Sequence, residues 1–334
     1  MGGLVVSHPS LLPPRIEGAL RLRDGRRVGF AEFGPADGRP LLWLHGTPGA
    51  RRQIAPQARE LAHERGVRIV SIERPGVGES TPHRYEALTD FARDVEQLCA
   101  ALGIGEFAVA GLSGGGAYAL ACAHELRSRV VSVGVLSGIA PTVGEDAAEG
   151  GLVAITRGFA PVLRHGSRAV GGTLSGLIRL LEPLADRAVD FFARVISPAD
   201  EPLFEDQAMR RMFVEDLVLA ARQNFQAISL DLALFTRPWG FALGDVAVPV
   251  HLWHGDADRI VPVEHGTHLS QRIPGSELRI RPGEGHLGGL SAAAELFDAV
   301  FSHWPRPPAE WDLTAPLPSR RRPRPSLPRD VQLS

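Results

Sequence analysis

Residues 107–126 read FAVAGLSGGGAYALACAHEL. Phe107 to Leu112 is a short apolar run of the kind that forms a strand buried on both faces. Gly114 to Leu126 is small and apolar without a proline, which reads as a helix packed close to that strand. Between them lies Gly111-Leu112-Ser113-Gly114-Gly115, a GxSxG pattern. A strand that turns sharply into a helix, with a serine at the turn, needs small neighbours so that the two elements can approach. Gly111, Gly114, Gly115 and Gly116 supply that smallness. Such a turn holds the serine hydroxyl at the C-terminal end of the strand.

The surrounding chain repeats the strand–helix alternation. PLLWLHG (40–46), VRIVSIE (67–73) and VVSVGVLSG (130–138) read as further buried strands, separated by helical segments at 51–65 and 89–102. This texture predicts βαβ units and a mostly parallel sheet. RLRDGRRVGFAEFG reads as a hairpin with Asp24-Gly25 as a two-residue turn. From Ala140 the strand signals stop, and segments such as EDQAMRRMFVEDLVLAARQNF (205–225) read as helices. The strand pattern resumes with VAVPVHLWHG (246–255) and ELRIRPG (277–283), with helices at 263–273 and 290–303. The expected organisation is an N-terminal extension (1–17), a first core part (18–139), a helical cap (140–240), a second core part (241–304) and a Pro/Arg-rich, mostly disordered tail (305–334).

With 44% hydrophobic and 22% charged residues and a formal net charge of −2, the chain has an ordinary globular composition and no call for a nucleic-acid partner. All 36 basic residues are arginine. Those of the tail, Arg320, Arg321, Arg322 and Arg324, read as a solvated run. Cys99 and Cys122 lack CxxC or metal-type spacing and read as reduced, packed side chains. The N-terminus lacks the basic and apolar parts of a signal segment, and no run approaches the length of a membrane helix. The expectation is a soluble, cytoplasmic protein with no membrane span, no metal and no cofactor, acting on a small molecule.

A serine hydroxyl is a weak nucleophile until a base takes its proton. His286, in GEGH after the strand ELRIRPG, and Asp258, in HGDADRIVP after VPVHLWHG, are placed to serve Ser113. In a parallel sheet all three follow strand C-terminal ends and so share one edge. Asp258 accepts from one ring nitrogen of His286 and stabilises the imidazolium. Asp256 is a competitor for that role and reads as a loop-bracing carboxylate. A tetrahedral oxyanion needs amide donors. The backbone N–H of Gly114 at the start of a helix is one, and that of Thr47 in HGTPG (45–49) is the second. His45 reads as a structural residue of that turn.

With HGTPG at 45–49, ERPGVGES at 73–80, GLSGGG at 111–116, HGDADRIVP at 254–262 and GEGH at 283–286, the chain resembles the α/β-hydrolase superfamily over roughly Leu20 to His303. RPWGF (237–241) resembles a branch of bacterial hydrolases. The resemblance implies an α/β-hydrolase fold: a mostly parallel eight-stranded sheet flanked by helices, with a cap inserted after strand 6 and no cofactor. It implies Ser113 as nucleophile, Asp258 as acid, His286 as base, and Thr47 and Gly114 as oxyanion hole. Glu73 stands where the family more usually has Asp, at a structural position. Dehalogenases and epoxide hydrolases of this fold carry an aspartate nucleophile, and proline iminopeptidases a bulky residue after the serine, where this chain has Gly114.

The cap aromatics Phe159, Phe191, Phe192, Phe213, Phe225 and Trp239 are expected to contribute to an apolar pocket over Ser113, favouring a hydrophobic, neutral substrate. The reaction expected is hydrolysis of a carboxylic ester through an acyl-enzyme. The same three residues would also serve a thioester, an amide, a C–C bond, perhydrolysis or acyl transfer. A binding protein on the same fold is the alternative of another class.

Overall fold

A computed structural model of the chain describes residues 11–148, 185–191, 193–194, 197–223, 226–304 and 331–333. Its frame is one sheet built from β1 (Ile16–Arg21), β2 (Arg27–Phe33), β3 (Arg39–Leu44), β4 (Val67–Ile72), β5 (Phe107–Leu112), β6 (Val130–Leu136), β7 (Val250–Gly255), β8 (Glu277–Arg281) and β9 (Val331–Leu333), in the order β8-β7-β6-β5-β3-β4-β2-β1-β9. From β4 through β3 to β8 every pairing is parallel, whereas β1, β2 and β9 join antiparallel.

The strands read as unbroken apolar runs because each feeds two cores. Leu42 and Leu44 of β3 point into one cluster, and Leu41 and Trp43 into the other. On β5, Phe107 and Val109 alternate in the same way with Ala108, Ala110 and Leu112. This is the period of two in a pleated strand with both faces covered. The first cluster is closed by α2 (Phe91–Ala101), α3 (Gly114–Glu125) and α7 (Val263–Arg272), the second by α1 (Pro56–Glu64) and α8 (Ala293–Ser302). Between β6 and β7 the described residues hold no strand. They include α4 (Ala185–Phe191), a 3-10 turn at Pro198–Phe204, α5 (Gln207–Ala221) and α6 (Gln226–Phe235), the described part of the cap. No described helix is long and apolar enough to cross a membrane.

Three expectations need correction. The β1–β2 connection is a three-residue loop, Arg23 to Gly25, not a two-residue turn. Leu22 N donates to Arg26 O (2.7 Å), Gly25 N donates to Leu22 O (2.9 Å), and Gly25 takes φ +87°. That is a tight turn followed by a left-handed glycine, the next commonest hairpin form. Among the described residues the sheet has nine strands rather than eight, and Val331–Leu333 of the expected disordered tail form the ninth. They pair with β1 at Gly18–Leu20, satisfying backbone groups at an otherwise open sheet edge, and Val331 rests on the first core cluster. Most of the tail lies outside the described residues. Finally, β1 already begins at Ile16, within the expected extension.

Glu73 closes the turn after β4. Its buried carboxylate accepts from Glu79 N (2.8 Å) and pairs with the equally buried Arg51 (2.8 Å). Burial pushes this carboxyl up to about 7 even with Arg51 beside it. Cys99 and Cys122 are buried free thiols, and burial pushes that of Cys99 up to about 12.

The helix that follows β5 touches the end of β3. A Cβ on Gly115 would lie 2.1 Å from the backbone oxygen of Leu44. Neither backbone can yield without parting helix from sheet. Gly115→Ala is therefore expected to destabilise the fold by about 1–3 kcal/mol, as overpacking does, read as a lower midpoint in urea unfolding followed by far-UV circular dichroism.

Candidate active site

Ser113 stands between β5 and α3 at φ 54°, ψ −121°, a conformation that residues with a side chain seldom adopt. Its backbone N–H donates to Leu136 O (2.8 Å) at the end of β6, which holds the turn in place. Above Gly114 there is no room for a side chain, because a Cβ would meet Phe235 of α6 at 2.7 Å and Thr47 Oγ1 at 2.9 Å.

Asp258 follows β7 and His286 follows β8, both buried. The two meet: His286 Nδ1 lies 2.8 Å from Asp258 Oδ2. The other carboxylate oxygen accepts from Ile260 N and Val261 N, each at 2.9 Å. His254 Nε2 lies 3.4 Å from Oδ2 and 2.8 Å from Val261 O. Burial alone would raise the Asp258 carboxyl, but His286, His254 and the Val261 N–H outweigh it and hold it well below its ordinary value. With Nδ1 donating to a carboxylate, the neutral imidazole keeps its lone pair on Nε2. Asp256, by contrast, is exposed, and its carboxylate accepts from Gly283 N (2.7 Å), bracing the loop before His286.

Ser113 and His286 line one cavity of about 410 Å³. Its apolar wall comes from the core (Leu112, Ile260, Leu287) and from the cap, where Val189, Phe191, Phe204, Phe213 and Leu217 face it. Of the cap aromatics singled out from the sequence, Phe191 and Phe213 line this cavity. Phe159, Phe192 and Phe225 lie outside the described residues. Trp239 is a correction: it is buried in the first core cluster, with its ring 5.9 Å from that of Phe241, and does not line the cavity. It follows the end of α6, where the chain returns to the sheet, so its apolar bulk fills the join between cap and core.

Thr47 also lines the cavity, near the start of the loop after β3. Beside it, His45 is buried, with Nδ1 2.8 Å from Gly46 O and Nε2 accepting from Arg74 N (3.3 Å). Burial holds this imidazole well below its ordinary value, which keeps it neutral as a turn residue.

The cap reaches down to these loops through three buried carboxylates. Asp200 accepts from Leu287 N, directly after His286, with both oxygens at 3.0 Å. Asp216 accepts from Ala50 N (2.9 Å) and Arg52 N (3.0 Å) and lines the cavity. Asp231 accepts from Thr47 Oγ1 (2.7 Å), Arg74 and Tyr118. Among the described residues, no group of three or more His, Cys, Asp or Glu side chains is placed to hold a metal ion.

Residues 39–293 match a family profile described as the alpha/beta hydrolase fold. The chain belongs to the α/β-hydrolase fold family. Within that family it is 28% identical to the AB hydrolase superfamily protein YisY of Bacillus subtilis, over 80% of this chain and 91% of that protein. It is 34% identical to a proline iminopeptidase of Arabidopsis thaliana over 38% of this chain, a stretch that spans only about a third (34%) of that relative's length. The solved structure of an esterase from Exiguobacterium antarcticum superposes with a TM-score of 0.61 at 20% identity, over 86% of this chain and 98% of that one. At that identity the likeness is one of fold.

Of the residues singled out around GxSxG, HGTPG, HGDAD and GEGH, Ser113, Thr47 and His286 line one cavity and Asp258 contacts His286. The residues that sequence reading passed over are Phe204, Leu217, Gln53 and the cap carboxylates. Arg74 sat within a motif already noticed, ERPGVGES, but its charge gave no hint of burial. Asp216 sits on an otherwise apolar helix face, a pattern that a single aspartate does not announce.

Asp216 carries a pH consequence. Burial pushes its carboxyl up to about 7 despite its two backbone donors. Between the unfolded value near 4 and the folded value near 7, the native state holds a proton the unfolded chain has lost, so stability from this group falls as pH rises through that window. Asp216→Asn should flatten the fall between pH 4.5 and 6.5 by up to about 1.4 kcal/mol per pH unit, measured by urea unfolding across that range. An unchanged slope would assign the titration elsewhere.

Proposed function

We propose that this chain hydrolyses a carboxylic ester of a hydrophobic small molecule through an acyl-enzyme. The observation that carries the reading is the 2.8 Å contact of His286 with Asp258, together with the presence of His286 and Ser113 in the wall of one apolar cavity. Ser113 Oγ attacks the ester carbonyl while His286 Nε2 takes its proton. The tetrahedral intermediate collapses as the alcohol leaves with that proton. Water, deprotonated by the same nitrogen, then releases the acid and restores the serine. Asp258, held ionised, keeps the proton on Nδ1 and stabilises the imidazolium. The N–H groups of Gly114 and Thr47 receive the oxyanion, each donor contributing about 2.7–4 kcal/mol of barrier stabilisation.

The cavity favours an acyl or alkyl group without charge. Apart from Ser113 and His286, its polar members are already engaged: Asp216 accepts two backbone donors, Gln53 Oε1 accepts from Gly46 N (2.6 Å) and Thr47 Oγ1 donates to Asp231. An amide substrate is the second reading, favoured by the partial similarity to proline iminopeptidases. p-Nitrophenyl esters of graded chain length assayed against amide and thioester panels distinguish the two.

Ser113→Ala should abolish labelling by a fluorophosphonate probe while the chain stays folded; labelling that persists means another nucleophile. Asp258→Asn should lower kcat by about 10⁴-fold, while Asp256→Asn, whose carboxylate braces only a loop, should cost far less. The reverse order would reassign the acid.

A further inference from the structure

We propose that Asp231 of the cap is a positioning residue for the oxyanion hole, acting through Arg74, Thr47 and Tyr118; this rests on the hydrolase reading above. Its carboxylate is 6% exposed and uses its two oxygens on two different parts of the core. Oδ2 accepts from Thr47 Oγ1 (2.7 Å) and Arg74 Nε (2.9 Å) and lies 2.8 Å from Arg74 Nη2. Oδ1 accepts from the hydroxyl of Tyr118 (2.8 Å), which lies on α3, the helix that begins at Gly114. One carboxylate thus spans the loop of one expected amide donor and the helix of the other.

Arg74 carries the constraint to the donor itself. It is buried, donates to the carbonyls of His45 and Gly46 (2.9 Å for the latter) and to Thr47 Oγ1 (2.7 Å), and lies 5.0 Å from the Tyr118 ring centre. The oxygen of Gly46 and the N–H of Thr47 belong to one peptide unit, which is trans. In a trans peptide the two point in opposite directions. Holding Gly46 O from one side, with Arg74 and His45 Nδ1 both at it, therefore fixes where the Thr47 N–H points. The Thr47 hydroxyl accepts from Arg74 and donates to Asp231, so its rotor is set as well. One turn further along α6, Phe235 closes over Gly114, so the same cap helix touches both donor segments. Oxyanion donors act by being aimed before the charge develops, and this network supplies the aim.

A buried ion pair with only a structural role would affect stability and leave the transition state alone. The test therefore reads kcat and KM on a p-nitrophenyl ester, together with the Ki of phenylboronic acid. That probe adds to the serine hydroxyl as a tetrahedral boronate and needs the same donors, whereas ground-state binding of the ester does not. Asp231→Asn should lower kcat about 10- to 100-fold, leave KM within about threefold, and raise the boronate Ki by the same factor as kcat falls. A folded Asp231→Asn chain with kcat and Ki within about threefold of the parent overturns the proposal. Should that variant lose its cooperative unfolding transition, two substitutions at position 47 decide. Thr47→Val keeps shape and loses the hydroxyl, and should lose at least about tenfold in kcat, most of which Thr47→Ser recovers. Equal rates in Thr47→Val and Thr47→Ser overturn it. A parent chain that neither turns over an ester nor takes the fluorophosphonate label defeats the hydrolase reading and this one together. Labelling with an indifferent Asp231 variant defeats this one alone.

Discussion

The contact between α3 and the end of β3 governs everything around it. With Gly115 pressed against the carbonyl of Leu44, and Gly111 against that of Gly115, the helix enters the sheet at a separation that admits only hydrogen on the facing carbons. That closeness forces the chain into a sharp turn at Ser113 and sets the serine at positive φ. It also brings the loop after β3 alongside the first turn of the helix. Because β3, β5, β7 and β8 run parallel, the loops that carry Thr47, Ser113, Asp258 and His286 all emerge on that same edge. The side chains then need only short loops to meet.

This is why so much of the fold was legible in the sequence. Strands covered on both faces have no polar alternation to confuse them, and their ends are marked by glycine-rich loops such as HGTPG and GEGH. The candidate residues sit in those loops, so finding the strands placed them along one sheet edge. What stayed hidden depends on contacts between distant segments. A lone aspartate on a helix, such as Asp216 or Asp231, has the same signature whether it faces water or a backbone N–H a hundred and more residues away. Trp239 shared its signal with the cavity aromatics, because bulk alone does not say whether a ring beyond the end of α6 packs into the cavity or into the core. Val331–Leu333 sit within a composition that argues for disorder, and only the open edge of β1 gives them a reason to order.

The buried carboxylates show how environment separates identical groups. Asp258 faces two histidines and the Val261 N–H, and their sum overcomes burial. Asp216 has two N–H donors and no cation in direct contact, and burial wins. Glu73 has a full ion pair with Arg51 and is still raised, because it lies wholly away from water. A carboxylate that must stay ionised through a reaction needs the first arrangement, and among these three only Asp258 has it.

The three cap carboxylates cross to two core loops: Asp200 to the one carrying His286, and Asp216 and Asp231 to the one after β3, at Ala50 and Thr47 respectively. Each contact uses a polar group that would otherwise be left unpaired at a buried boundary, at a cost of about 1–3 kcal/mol apiece. Lifting the cap would break all three sets at once and expose the apolar wall formed by Val189, Phe204 and Phe213. The described cap is therefore part of the site's wall rather than a cover laid over a finished site. Its aromatic side chains shape the cavity, while its carboxylates hold the loops that carry Thr47 and His286.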